Sequence, residues 1–386
     1  MTHILYSLFL LITMIIAVNT RLLLKDKLEG IGWFTYETMK RITRQHPEHR
    51  FLFLFDRAFH EEFIFSDNIT PLAVGPQARH PFLWYLWFEG TVPKILKEHK
   101  ADVLLSTDGF LPLGADVKCV DVIHDLNFEH HPEDIPFIAR KYYLRYFRQF
   151  AQRADRIATV SEYSKNDIAG TYGINAGKID VVYNGANESF APANDEVKLE
   201  TRKKYTGGQE YFLYVGALHP RKNLPRLLLA FDEFKKSFSS GVKLLIVGGR
   251  MFGNGELQKI YNRMQFKNDV VFAGRLPAEE LRPVFASALA LAYIPYFEGF
   301  GIPIVEAMYS GIPVITSNVT SMPEVSGNAA VLVDPHSTES VKDALLSLAK
   351  DEKLRKDLIL KGQLRKKDFS WNRTAELLWK CVEKVM

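Results

Sequence analysis

Cysteine is nearly absent: Cys119 and Cys381 are the only two in 386 residues. Two thiols cannot staple a chain of this length, and their scarcity suits a reducing compartment. Charge of one sign is also lacking, because 49 Lys+Arg stand against 45 Asp+Glu and the formal balance is only +4. That is too mild to imply a nucleic acid partner. No long hydrophobic run is present. The apolar block Ile4–Val18 falls short of the roughly 20 residues that span a bilayer. It also has neither the basic start nor the small-residue cleavage site of a secretory signal. Its internal Met14 opens a strand-like MIIAVN, so translation is expected to begin there, with residues 1–13 an upstream extension.

Several frequent catalytic patterns are missing too. There is no phosphate loop of the GxxxxGK[ST] type, no GxSxG elbow, no HExxH and no GxGxxG. No Asp-x-Asp pair exists to hold a divalent ion against a diphosphate. The cluster His124, Asp125, Glu129, His130 and His131 matches no zinc spacing, and Pro132 marks a turn directly after it. No resident metal or cofactor is therefore expected.

What is present is ordinary globular composition, 47% hydrophobic and 24% charged, enough for two cores. Six short apolar runs lie in the first half: MIIAVN, FLFLF, ADVLLS, VKCVDVIH, RIATVS and KIDVVY. Six more follow in the second: YFLYVG, VKLLIVG, DVVFAG, ALALAYIP, PVITS and AAVLV. Continuous apolar strands separated by amphipathic stretches indicate parallel sheets covered on both faces. The expectation is an α/β chain of two doubly wound, Rossmann-like domains facing across a cleft. Residues 14–190 form the first and 205–365 the second, with the polar stretch 186–209 as the linker region.

Four segments carry chemistry. In LEGIGWF, Gly30 and Gly32 follow the first strand and open a helix, which suits either an anion at a helix N-terminus or a tight turn. In VIHDLNFE, His124 and Asp125 stand at the carboxyl end of a buried strand, where α/β sheets bind ligands; for His124 a satisfied core histidine is the alternative. In GALHPRKNLPRLLL, Arg221 and Lys222 precede a helix, where cations oppose the dipole unless an anion joins them. A solvated basic turn is the other possibility. In YIPYFEGFGIPIVEAM, Glu298 lies in a Gly-rich turn and Glu306 on the next helix, placed to reach different hydroxyls of one polyol. The N–H groups of Phe300 and Gly301 would face the same ligand.

These segments resemble glycosyltransferase family 4, the retaining transferases of GT-B fold. EGFGIPIVE is similar to the family's Glu-x7-Glu motif, GALHPRKN to its diphosphate segment, HDL to its donor-site histidine and EGIG to its first glycine loop. FSWNRTAELL is similar to the C-terminal helix that crosses back to the first domain, here 366–386. The likeness runs in order from Met14 to the end. It implies that Glu306 binds ribose hydroxyls, Glu298 and His124 the donor sugar, and Arg221 and Lys222 the diphosphate. Gly32, Phe300 and Gly301 would contribute backbone contacts, and Gly274 and Arg275 would lie at the nucleotide base. Ala217 departs from members that carry an arginine after the strand glycine. The diphosphate segment is most similar to the mannosyltransferase-like group, which implies a nucleotide-diphosphate sugar donor such as GDP-mannose. It also implies a saccharide or lipid-linked acceptor, cell-envelope polysaccharide synthesis, and a cytoplasmic enzyme. A sugar phosphorylase or epimerase, or a non-catalytic scaffold, are the competing functions. The basic aromatic stretch IARKYYLRYFRQFAQRADR fits either a core helix or peripheral contact with an anionic membrane.

Overall fold

The computed structural model describes residues 13–249 and 255–386. The expected upstream extension, 1–13, lies almost wholly outside the described residues. Thirteen strands form two parallel sheets among these residues. The first holds β1 (Ile15–Asn19), β2 (Arg50–Phe55), β3 (Ile69–Ala73), β4 (Val103–Ser106), β5 (Lys118–Val122), β6 (Arg156–Thr159) and β7 (Ile179–Val181), in the order 3-2-1-4-5-6-7. The second holds β8 (Tyr211–Gly216), β9 (Lys243–Gly248), β10 (Val270–Gly274), β11 (Ala290–Tyr293), β12 (Val314–Ser317) and β13 (Ala330–Val333), in the order 10-9-8-11-12-13. The doubly wound pair expected from the sequence is therefore the fold. The first sheet gains a strand over that expectation: β3 reads ITPLA and pairs only with β2. A proline is tolerated there because an edge strand has one unpaired side.

Nine helices matter for the site and its surroundings: α1 (Gly30–Gln45), α2 (Pro81–Leu86), α3 (Phe137–Arg153), α4 (Glu162–Tyr172), α5 (Asp195–Thr206), α6 (Leu224–Ser237), α7 (Ile302–Ser310), α8 (Met322–Ser326) and α9 (Trp371–Glu383). Helix α5 corrects the polar linker read over 186–209. Asn194 caps it by accepting from the Val197 N–H at 2.9 Å, and Gly207 ends it in the left-handed conformation. The helix is polar because it covers the outside of the second domain rather than a core.

The crossover helix α9 packs on α1 of the first domain and starts at Ser370, whose hydroxyl accepts from the Arg373 N–H. Its buried side chains Trp371, Ala375, Leu378, Trp379, Cys381 and Val382 recur at helical spacing. Each large one contributes roughly 1.5–3 kcal/mol by burial. Both thiols are free and buried. The strand order reverses between β1 and β4 and again between β8 and β11. Those crevices, at the carboxyl ends of the strands, are where such sheets bind ligands.

Candidate active site

At the β8/β11 reversal the chain brings two loops together. After β8 it runs through a single turn, Pro220–Lys222, and into α6. Asn223 makes the left-handed bend, and its side chain donates to the carbonyls of Ile294 and Pro335 at 3.2 and 2.7 Å. The Tyr296 N–H in turn donates to the Arg221 carbonyl at 3.0 Å. The turn carrying the two cations is thus fastened to the loop that carries Glu298.

Arg221 and Lys222 point into a compact charge cluster. Arg221 Nη1 donates to Asp125 Oδ2 at 2.7 Å, and its Nε faces Glu298 Oε1 at 3.3 Å. Lys222 Nζ donates to the Tyr293 hydroxyl at 2.5 Å and, still more tightly, to Glu298. These carboxylates supply the anions that two cations beside a helix start require. The two cations respond oppositely to their surroundings. Burial pulls the Lys222 ammonium below its usual value despite Glu298. Burial disfavours the Arg221 cation too, but Asp125 and Glu298 outweigh it and hold the guanidinium firmly charged. Burial alone would raise the Asp125 carboxyl; Arg221 and the Asn127 N–H bring it below the usual carboxylate range.

The loop after β11 approaches the first domain closely. A Cβ on Gly299 would sit 2.3 Å from the His124 carbonyl oxygen, so no larger residue fits. Ser161, which caps α4, donates from its hydroxyl to the Gly299 carbonyl at 2.7 Å. Gly301 adopts φ +88° and opens α7. Among the described residues the N–H groups of Phe300 and Gly301 donate to nothing. The Phe300 ring is buried against Phe369 and Tyr183. Glu306 faces out of α7 with no hydrogen bond or ion pair among the described residues. Burial pushes its carboxyl up to about 7.

On the first domain, His124 follows β5 and its Nε2 lies 3.0 Å from the Thr107 carbonyl. A carbonyl only accepts, so Nε2 carries the proton and Nδ1 is left as an acceptor. Burial lowers the imidazole's pKa, favouring the neutral ring. Phe34 of α1 stands edge-on to that ring, 5.0 Å between centres. Gly32 lies in the first turn of α1, where a Cβ would come 2.9 Å from the Leu22 carbonyl. Its place in the fold is therefore that of a close backbone approach. Gly274 ends β10 at φ +71°, and Arg275 reaches across to donate to the Leu28 carbonyl at 3.0 Å. The structure thus gathers Arg221, Lys222, Glu298 and His124 around one closure. Gly32 and Arg275 meet the loop before α1.

Tyr293 and Ser161 were not singled out by the sequence patterns, and Asp125 was placed at the strand end with His124 but given no role. Asp125 had a signal, since it directly follows His124 at a strand end. Glu324 of α8 is another: its carboxylate accepts from the Glu162 and Tyr163 N–H groups at the start of α4, at 2.7 and 2.9 Å. The sequence cluster around His124 disperses. Glu129 accepts from the Tyr172 hydroxyl, His130 meets Asp167, and His131 meets Glu133. Among the described residues one His/Glu group does converge, His46, Glu48 and His49, beside Trp379 of α9.

Comparison with known proteins fits this geometry. The description "Glycosyltransferase Family 4" matches residues 28–190, and "Glycosyl transferases group 1" matches 197–365. The O-antigen chain mannosyltransferase RfbU of Salmonella typhimurium is 30% identical over 269 residues, 69% of this chain and 71% of that protein. The chain belongs to glycosyltransferase family 4. A second relative, the O-antigen chain mannosyltransferase B of Escherichia coli, is 29% identical over 281 residues, 72% of each chain. For the fold, the transferase superimposes on Anabaena Alr3699/HepE, solved with UDP-glucose, with a TM-score of 0.76. That likeness covers 96% of this chain and 100% of the other at 18% identity. The protein is an enzyme of glycosyl transfer, built on the GT-B fold expected from its sequence.

Proposed function

We propose that this transferase moves a mannosyl residue, with retention, from GDP-mannose to a saccharide or lipid-linked acceptor in cell-envelope polysaccharide assembly. The observation that carries the proposal is the Arg221–Lys222–Glu298 cluster at the strand reversal, closed against His124. Two O-antigen mannosyltransferases among its relatives support the sugar and the pathway class.

Cleavage of the anomeric bond builds negative charge on the diphosphate and positive charge on the sugar ring. Arg221, Lys222 and the free N–H groups of Phe300 and Gly301 are preorganised donors for the leaving group. They supply that stabilisation without a metal ion. Glu298 and the Nδ1 acceptor of His124 take hydroxyls of the donor sugar, and Glu306 takes those of the ribose. No side chain serves as nucleophile: in a front-face path the departing phosphate oxygen accepts the proton of the attacking hydroxyl. Gly299 lets the two domains meet, which keeps water from the reactive sugar.

The enzyme acts in the cytoplasm, in peripheral contact with an anionic membrane. Among the described residues no helix is long and apolar enough to cross one. Helix α3 divides its residues by face: Tyr142, Phe147 and Phe150 are buried, while Phe137, Ile138 and Leu144 are exposed beside Lys141 and Arg145. Phe82, Tyr85 and Leu86 of the neighbouring α2 are exposed as well. Apolar side chains with a basic fringe suit a headgroup boundary. Loss of co-sedimentation with anionic vesicles in a Phe82→Ser/Phe137→Ser variant tests that contact.

The nucleotide is tested by thermal stability with GDP, UDP and ADP, followed by turnover of GDP-mannose. A ligand at about 100 times its dissociation constant adds roughly 2.7 kcal/mol. Stabilisation by GDP with α-mannoside formation is expected. Stabilisation by none of the three removes the donor reading.

A further inference from the structure

We infer that Asp125 is a positioning residue that aims Arg221 at the donor diphosphate and couples that aim to closure of the two domains. The inference rests on the donor reading above and assigns a residue that reading leaves unused.

Asp125 is a fixed strut. Its Oδ1 accepts from the Asn127 N–H at 3.0 Å, a local turn that locks the carboxylate to its own backbone. Behind it stands Gly299, where a Cβ would come within 3.0 Å of the Asp125 Cβ. The local turn therefore sets the direction of the carboxylate. Its remaining oxygen takes Arg221 Nη1 at 2.7 Å, across the cleft and 96 residues away in sequence. The backbone of Arg221 is fastened through Tyr296 and His219, so the guanidinium at the end of its long stem takes its aim from Asp125 and Glu298. The position directly after the strand glycine holds Ala217, so the burden of a guanidinium at this edge falls on Arg221.

Glu298 differs from Asp125. It is held by Lys222 as well as Arg221, so it can release Arg221 without losing its charge partner. A guanidinium offers five N–H groups, and Asp125 takes only the Nη1 end. Once Glu298 releases Nε, that nitrogen and the second terminal nitrogen can donate to a phosphate oxygen. Contacts flanking the strut keep the two loops in register. The Tyr296 hydroxyl donates to both oxygens of Asp134 at 2.8 and 2.9 Å, and His131 packs on the Tyr296 ring. Separation of the domains breaks these contacts and the Asp125–Arg221 pair together, so Arg221 is aimed only in the closed form.

A fixed carboxylate beside a diphosphate also has a cost. It repels the incoming anion and competes for Arg221. Removing its charge should therefore tighten nucleoside diphosphate binding while slowing transfer. A residue of merely structural importance would weaken both together.

The test compares wild type with Asp125→Asn and Asp125→Glu, by calorimetric titration with GDP and UDP and by steady-state transfer kinetics. In Asp125→Asn, the expected result is a kcat at least tenfold lower with a nucleoside diphosphate Kd unchanged or several-fold tighter. Asp125→Glu should recover part of kcat. An unchanged kcat in Asp125→Asn overturns the inference, as does a Kd that weakens in step with kcat. A wild-type protein that binds neither nucleotide and transfers no sugar overturns the donor reading instead, and the inference falls with it.

Discussion

Glu306 offers the sharpest test of whether a functional demand shapes this site. Its carboxyl lies on α7 with no partner among the described residues, and burial lifts it from 4.5 to about 7. The folded protein therefore holds a proton there that the unfolded chain releases near pH 4.5. The associated stability is fully present below pH 4.5 and is lost as pH rises toward 7. At about 1.4 kcal/mol per pH unit, the shift amounts to on the order of 3 kcal/mol forfeited at pH 8. Glutamine has the same shape and cannot ionise. Glu306→Gln should match wild type in urea unfolding at pH 4.5 and exceed it at pH 8 by up to that amount. The same variant should lose at least tenfold in nucleotide-sugar affinity, because the carboxylate proposed to take the ribose hydroxyls has been removed. A residue that improves activity while costing stability is what a binding site tolerates and a core does not. Equal stability of the two proteins at pH 8 refutes the electrostatic reasoning. Undiminished donor affinity in the variant refutes the ribose role.

Glu298→Ala should lower turnover at least tenfold and, by leaving the buried Lys222 ammonium without its carboxylate, lower the unfolding temperature without abolishing the fold; near-normal turnover removes it from the site. Gly299→Ala places a methyl group 2.3 Å from the His124 carbonyl. It should cut kcat/KM by two orders of magnitude or more, while far-ultraviolet dichroism stays that of wild type. Gly185→Ala puts its Cβ 2.3 Å from the Trp371 backbone nitrogen at the start of α9. That variant should lose about 2 kcal/mol or more in denaturant unfolding, within the range for overpacking; an unchanged midpoint would show that α9 can shift freely.

The parts of the fold that were legible are those decided by short-range pattern. Runs such as FLFLF and VKLLIVG are apolar on both faces, and only a strand covered by helices on both sides needs that. β3 escaped because ITPLA is half-buried and contains Pro71, as an edge strand can. Helix α5 escaped because DEVKLETRKKYT has almost no apolar stripe, and its cap Asn194 reads equally well as loop. The same division holds in the site. Arg221, Lys222, Glu298 and Glu306 stood out as charged groups at strand ends and helix starts. Their partners did not, because pairing between Arg221 and Asp125 is a property of two domains meeting. The aromatic stretch of α3 was ambiguous for a related reason. A helical period shows that one face is buried, but not which other side chains stay outside.

Charge balance within the cluster explains how one site can rest closed and still welcome a dianion. Arg221 and Lys222 are matched by Asp125 and Glu298, so the four side chains sum to zero. At an effective dielectric of about 20, two unit charges 4 Å apart interact by roughly 4 kcal/mol. A diphosphate approaching four fixed charges of zero sum would gain little from them. It gains only if a carboxylate gives way, and the two carboxylates are not equally free to do so. Asp125 is tied to its own turn and pairs with Arg221, whereas Glu298 keeps Lys222 as a second partner when Arg221 leaves. In the proposed donor complex exchange therefore falls on Glu298: the diphosphate takes over Arg221, and the carboxylate, still held by Lys222, is left beside the donor sugar. One displacement thus pairs the leaving group with Arg221 and supplies an acceptor for a sugar hydroxyl. Binding of a bare nucleoside diphosphate would make the same displacement without that second gain. In this scheme the sugar is recognised through the same movement that admits the phosphate.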